Sequence, residues 1–264
     1  MEELNIKRIG KLMRYSLCAD TWRSFFIGTY SVFSIIALFF MTMLPWMTNV
    51  NTASERLGIG IKATYGMMVG FLVIVPCLFW FDVKKKSSMI NLLVLPATHL
   101  EKFISRYLLL IIGGLLLCVA SFITADVLQW IYYSLFNPAY GGLAMARINF
   151  YSLHFFRFNF TVNGQNLDNY LAYAIGCMGP IWFHSVYLLF GMLFKKMSWI
   201  VSSAIIIVFF ILFGKSVEVG LFGSVEILAI VVLSLLVIFV IFNYVMSYKI
   251  FRHIQVIHNK WMRL

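Results

Sequence analysis

The sequence predicts an all-α polytopic membrane protein, with an N-terminal amphipathic interfacial helix, six transmembrane helices and both termini cytoplasmic. Three observations predict it. Hydrophobic residues make up 62% of the 264-residue chain and charged residues 12%, with a mean hydropathy of +0.90; soluble globules are near half apolar and a quarter charged. The apolar residues gather into runs that suit a hydrocarbon core of about 30 Å, which takes roughly 20 helical residues to cross. Of the 21 Lys and Arg residues, 16 fall in the gaps on one side of these runs and 5 in the gaps on the other, and the basic side is cytoplasmic.

Residues 1–24 form the first region. Ile6, Ile9, Met13 and Leu17 recur at helical spacing while Lys7, Arg8, Lys11 and Arg14 gather opposite, the pattern of a basic amphipathic helix on anionic lipid. The transmembrane domain follows at 25–246, with spans at 25–46, 63–81, 107–136, 170–194, 199–213 and 225–246. The fifth span is short and is flanked by Gly214. No small-residue cleavage site follows the first run, so it is expected to be a retained span and not a signal peptide. A basic cytoplasmic tail closes the chain at 247–264.

The cytoplasmic loop 82–106 is the most informative segment. Ser87 or Ser88 can cap a short helix carrying Met89, Ile90, Leu92 and Leu93, and Pro96 stops it because the residue before proline leaves the helical region. Thr98 and Glu101 make the capping-box pattern T-x-x-E, so a second helix starts there and enters the membrane. The apolar residues of the short helix face the cytosol and need a partner or the membrane surface. The outer segment 137–169 is rich in aromatics, and the alternation Phe156, Phe158, Phe160 and Val162 ahead of Asn163-Gly164 reads as a short strand entering a tight turn.

Charged and titratable residues inside membrane segments are functional candidates by default. Counting helical rise, Asp126 lies roughly 30 Å above Arg106 and Glu226 a similar distance above Lys249, which puts both at the hydrated outer interface or in an outward vestibule. His184 lies only about 16 Å from Lys195, near mid-bilayer, where it either satisfies an interhelical hydrogen bond or lines a pathway. These three are the pathway candidates. Gly66-x-x-x-Gly70 fits a weak close-packing pattern. Asn159-Phe160-Thr161 is a glycosylation sequon, relevant only in a eukaryotic secretory host.

Other chemistries find little support. Gly214-Lys215-Ser216 is no P-loop, since Phe209 occupies the position of its first glycine. The formal charge of +11 does not point to nucleic acid, because the basic residues sit beside span ends instead of forming one surface. Cys18, Cys77, Cys118 and Cys177 are widely separated and the five histidines dispersed, so neither disulfides nor a metal site is expected. No catalytic set is visible, so the chain is not expected to be an enzyme.

In this organisation the chain resembles the permease subunits of ABC-2 type ABC transporters. The similarity is greatest to small permeases of the Bacteroidetes kind, at the LPAT-x-x-EKF-x-SR stretch, 95–106, and at SYKIFRHIQVI, 247–257. The resemblance implies an exporter subunit in a bacterial inner membrane, dimerising with a second copy or a related permease. It also implies a separate ATPase subunit that binds ATP and Mg and docks on the loop, with Ser87, Ser88, Met89, Ile90, Leu92 and Leu93 as the coupling segment and Glu101 and Lys102 near the ATPase surface. This chain would hold no cofactor itself. One departure is that 214–223 is too short for the outer re-entrant element that many members of the family carry between spans five and six. Two alternatives from other classes are an ion-coupled secondary transporter and a non-transporting membrane scaffold or sensor subunit.

Overall fold

The computed structural model describes residues 5–44, 53–81, 86–136, 161–162, 165–166, 169–194, 198–218 and 225–253. Most of the expected outer segment and the end of the basic tail lie outside the described residues. Within them the chain is almost entirely helical: α1 (Ile6–Leu17), α2 (Asp20–Thr42), α3 (Ala53–Ile74), α4 (Lys86–Val94), α5 (His99–Phe136), α6 (Asn169–Leu193), α7 (Ser198–Glu218) and α8 (Val225–Arg252). Strand β1 (Thr161–Val162) pairs antiparallel with β2 (Gln165–Asn166), on either side of the Asn163-Gly164 dipeptide.

Among the described residues five helices are long and apolar enough to cross a membrane, at Asp20–Thr42, Gly58–Leu78, His99–Phe136, Tyr173–Leu193 and Ala229–Arg252. The expected fifth span corresponds to α7, whose described apolar stretch, Ser198–Val208, is shorter. Sequence and structure differ most at the ends of elements. The helix of span two begins ten residues before the expected span, at Ala53, with its membrane-competent stretch from Gly58, and ends in a 3-10 turn over Val75–Leu78. Pro76 causes that change, since it has no amide with which to continue the α-helical ladder. Span three is part of one 38-residue helix, about 57 Å long, so it cannot fit within a hydrocarbon core of about 30 Å. Its first two turns precede the apolar run that starts at Tyr107.

The chain divides into two compact units. One unit comprises 13–72 and 108–154. Here Ala37, Met41 and Ala125 are buried together, with Leu38, Met67 and Phe122 packed around them. Contacts of Met41 with Gly60 and of Phe33 with Phe71 make α2 and α3 antiparallel. The Tyr30–Thr124 and Tyr133–Thr42 hydrogen bonds make α2 and α5 parallel. A Cβ on Gly60 would stand 3.0 Å from the Met41 Cα, so this glycine is what lets the two backbones approach. At Gly70, half of the expected close-packing pair, there is open space.

The other unit comprises 1–12, 73–107 and 155–264. Its centre is α6, which packs on α8, on α7 and on the 3-10 turn. Cys77, Trp182, Val186, Tyr187 and Ile206 form the buried cluster. Gly191 is the close-approach position, because a Cβ there would lie 2.8 Å from the Cys77 Cα. Ala229 packs on Leu171 and Ile175 at one end, and Tyr244 meets His184 nearer the other, so α6 and α8 run parallel.

Candidate functional site

Two polar constellations stand out, and both lie within the second of these units. The first is built by consecutive residues at the start of α5. Glu101 and Thr98 form the capping box: the Glu101 amide donates to Thr98 Oγ1 over 3.1 Å and the Thr98 amide donates to Glu101 Oε2 over 3.0 Å. The other carboxylate oxygen, Oε1, accepts the Asn5 amide at 3.0 Å. Asn5 in turn caps α1, its Oδ1 accepting the Lys7 and Arg8 amides. One carboxylate therefore satisfies amides at two helix N-termini, where negative charge is favoured by both dipoles. Lys102 performs the complementary task, donating from Nζ to the Leu93 carbonyl over 2.8 Å in the last turn of α4, where a cation is favoured. Glu101 and Lys102 thus tie the ends of α1, α4 and α5 together.

Electrostatics follow from this geometry. The Thr98 and Asn5 amides, in that order, hold the Glu101 carboxyl below the usual carboxylate range, and Arg8 adds to the effect. Burial pulls Lys102 below the ordinary lysine range. Both residues are buried, so the joint is internal, whereas the resemblance placed them near a partner's surface. A sequence can show charge and a capping box, but not that the chain terminus folds back to cover them.

On α4 the exposed apolar positions are Ile90 and Val94, the latter 75% exposed, while Leu92 and Leu93 are partly covered. The helix begins at Lys86, which places Ser87 and Ser88 inside its first turn and not at its cap. The side chains of Ser87, Ser88 and Met89 lie outside the described part of the molecule. On α1 the inward residue is Ile9, while Ile6 and Leu17 are exposed at its two ends.

The second constellation crosses three helices. His184 Nδ1 on α6 is 3.0 Å from the Tyr244 hydroxyl on α8, which is 2.9 Å from the Tyr107 hydroxyl on α5. One residue along, Asn243 Nδ2 donates to Ser185 Oγ over 3.0 Å. Towards the basic end of these helices, the Arg106 guanidinium lies over the Phe79 and Trp80 rings, 5.8 and 5.7 Å from their centroids. Of the three pathway candidates, His184 belongs to this network. Asp126 lies in the other unit and is fully buried, which suits a structural role. The backbone of Glu226 lies in the first turn of α8, and its side chain is outside the described part. Sequence reasoning missed Gln129, fully buried one turn beyond Asp126 with neither amide atom hydrogen-bonded. Among the described residues, no three His, Cys, Asp or Glu side chains are placed to hold a metal ion.

Fold and site together define a helical protein with several membrane-competent helices and a polar joint at the base of its longest one. Comparison with protein-family models, curated proteins and solved structures finds no match in any of the three.

Proposed function

We propose that this chain is the membrane-spanning permease subunit of an ABC-2 type exporter in a bacterial inner membrane. It crosses six times with both termini cytoplasmic, pairs with a second permease, and is driven by a separate ATPase docking on loop 82–106. The observation that carries this reading is the mounting of α4. A short helix leaves Ile90 and Val94 uncovered by the rest of the chain, and its last turn is fastened by Lys102 to the start of α5. Exposed apolar groups on a short, internally fastened helix suit a partner that pushes on it. The helix directions within each unit support the six-span count, since α2 and α5 run one way, α3 the other, and α6 and α8 are parallel.

The test is co-purification of the tagged chain from its native host in mild detergent. The expected partner is a P-loop ATPase whose activity the chain stimulates, and Ile90→Glu should abolish stimulation while membrane insertion is retained. Recovery of a homogeneous protein without an ATPase would overturn the reading and favour the ion-coupled or scaffold alternatives. Unaltered stimulation by Ile90→Glu would overturn the docking assignment alone.

A further inference from the structure

The chain Tyr107–Tyr244–His184 is the only hydrogen-bonded run among the described residues that joins hydroxyl and imidazole groups from three helices. Its directionality depends on one proton. With neutral His184 carrying its hydrogen on Nε2, Nδ1 accepts from Tyr244, and Tyr244 in turn accepts from Tyr107. When the ring takes up a proton both nitrogens become donors, so Nδ1 must donate to Tyr244. The single hydrogen of Tyr244 then turns towards Tyr107, and the hydrogen of Tyr107 must find a new acceptor.

The surroundings leave this task to the two tyrosines. On the 3-10 turn, the Cys77 thiol donates to the Tyr187 carbonyl, and the Tyr187 hydroxyl on α6 is paired with Ser203 of α7. On α5, Glu101 is bound to Asn5 and Thr98, and Arg106 turns to Phe79 and Trp80. On α8, Tyr248 packs edge-on against Phe103 and Lys249 is exposed. None of these bonds is to the imidazole. One turn before His184, Pro180 lies inside α6 and supplies no amide to the Gly176 carbonyl, which leaves the helix softer there.

We propose that neutral His184 carries its hydrogen on Nε2 and is a proton-binding site, and that its protonation reverses the Tyr107–Tyr244–His184 chain and so changes how α5, α6 and α8 are fastened to one another. The proton comes from water and returns to it, so no other reactant is needed. The inference is independent of the exporter reading, and absence of an ATPase leaves it unaffected.

The experiment is pH-difference infrared spectroscopy of the full chain in lipid nanodiscs, carried from neutral pH well into acid because burial disfavours the charged imidazole. We expect a histidine ring band and a tyrosine C–O band to change at one shared midpoint. His184→Gln should remove both changes, whereas Tyr244→Phe should keep the histidine band and lose the tyrosine one. A histidine band removed by His184→Gln but unaccompanied by any tyrosine change would overturn the proposal, as would the lack of any band sensitive to that substitution. Should His184→Gln fail to assemble, Tyr107→Phe preserves the His184–Tyr244 bond and must lose part of the tyrosine band; an unchanged tyrosine band overturns the proposal equally.

Discussion

At the scale of single residues, Glu101 carries the most structural responsibility, because each of its oxygens satisfies a different helix. Hydrogen bonds to a charged group contribute about 1.5–3 kcal/mol each, so Glu101→Ala should lower stability by a few kcal/mol and free the N-terminal helix. Increased protease sensitivity of α1 in nanodiscs, with the rest of the chain protected, is the expected result. The effect also depends on pH. Because the folded-state carboxyl is held below its ordinary value, its contribution is fully present above the unfolded pKa of about 4.3 and is lost as pH falls through the lower folded value. The difference in melting temperature between wild type and Glu101→Gln should therefore be constant at neutral pH and vanish in acid. Gln129 should behave in the opposite sense. A buried amide with neither atom paired costs about 1–3 kcal/mol, so Gln129→Leu should raise the thermal midpoint, and a fall would show that the amide has a partner in the working protein.

At the scale of elements, glycines set how closely helices pack. Gly191→Ala puts a methyl against the Cys77 backbone, which cannot give way as a side-chain tip can, and overpacking of this kind costs about 1–3 kcal/mol. Gly70→Ala meets open space and should be neutral or stabilising by up to about 1 kcal/mol. Comparing the two melting temperatures separates close approach from mere membership of a glycine motif. The same comparison shows what was legible in the sequence. Local chemistry was: Thr98 and Glu101 announce a helix start by their spacing, Pro96 its predecessor's end, and hydrophobic run length the five helices long and apolar enough to cross a membrane. Contacts across a hundred residues were not. Nothing at Asn5 signals Glu101, nothing at Gly191 signals Cys77, and the Gly66–Gly70 spacing gave no sign of Gly60, the glycine that lies opposite Met41. His184 was legible as a polar residue in an apolar run, but its tyrosine partners look like ordinary span aromatics until the helices are placed.

At the scale of the whole molecule, the central question is which ends of the helices face the cytoplasm. The exporter proposal takes the side holding Lys7 to Arg23 and 84–106 as cytoplasmic, on the charge count of the sequence. Cys18 offers a native probe of this arrangement. It is exposed and sits in the short break between α1 and α2, next to Arg14 and Arg23, hence on the basic side. A membrane-impermeant maleimide should leave it unlabelled in intact cells and label it once the membrane is permeabilised, with Cys18→Ser removing that signal. Labelling in intact cells would invert the topology, and with it the exporter proposal, since α4 would then face away from ATP. The joint at Glu101 and Lys102 would survive that result, because its hydrogen bonds are internal. Such an outcome would leave a fastening between three helices whose moving partner lies outside the cell.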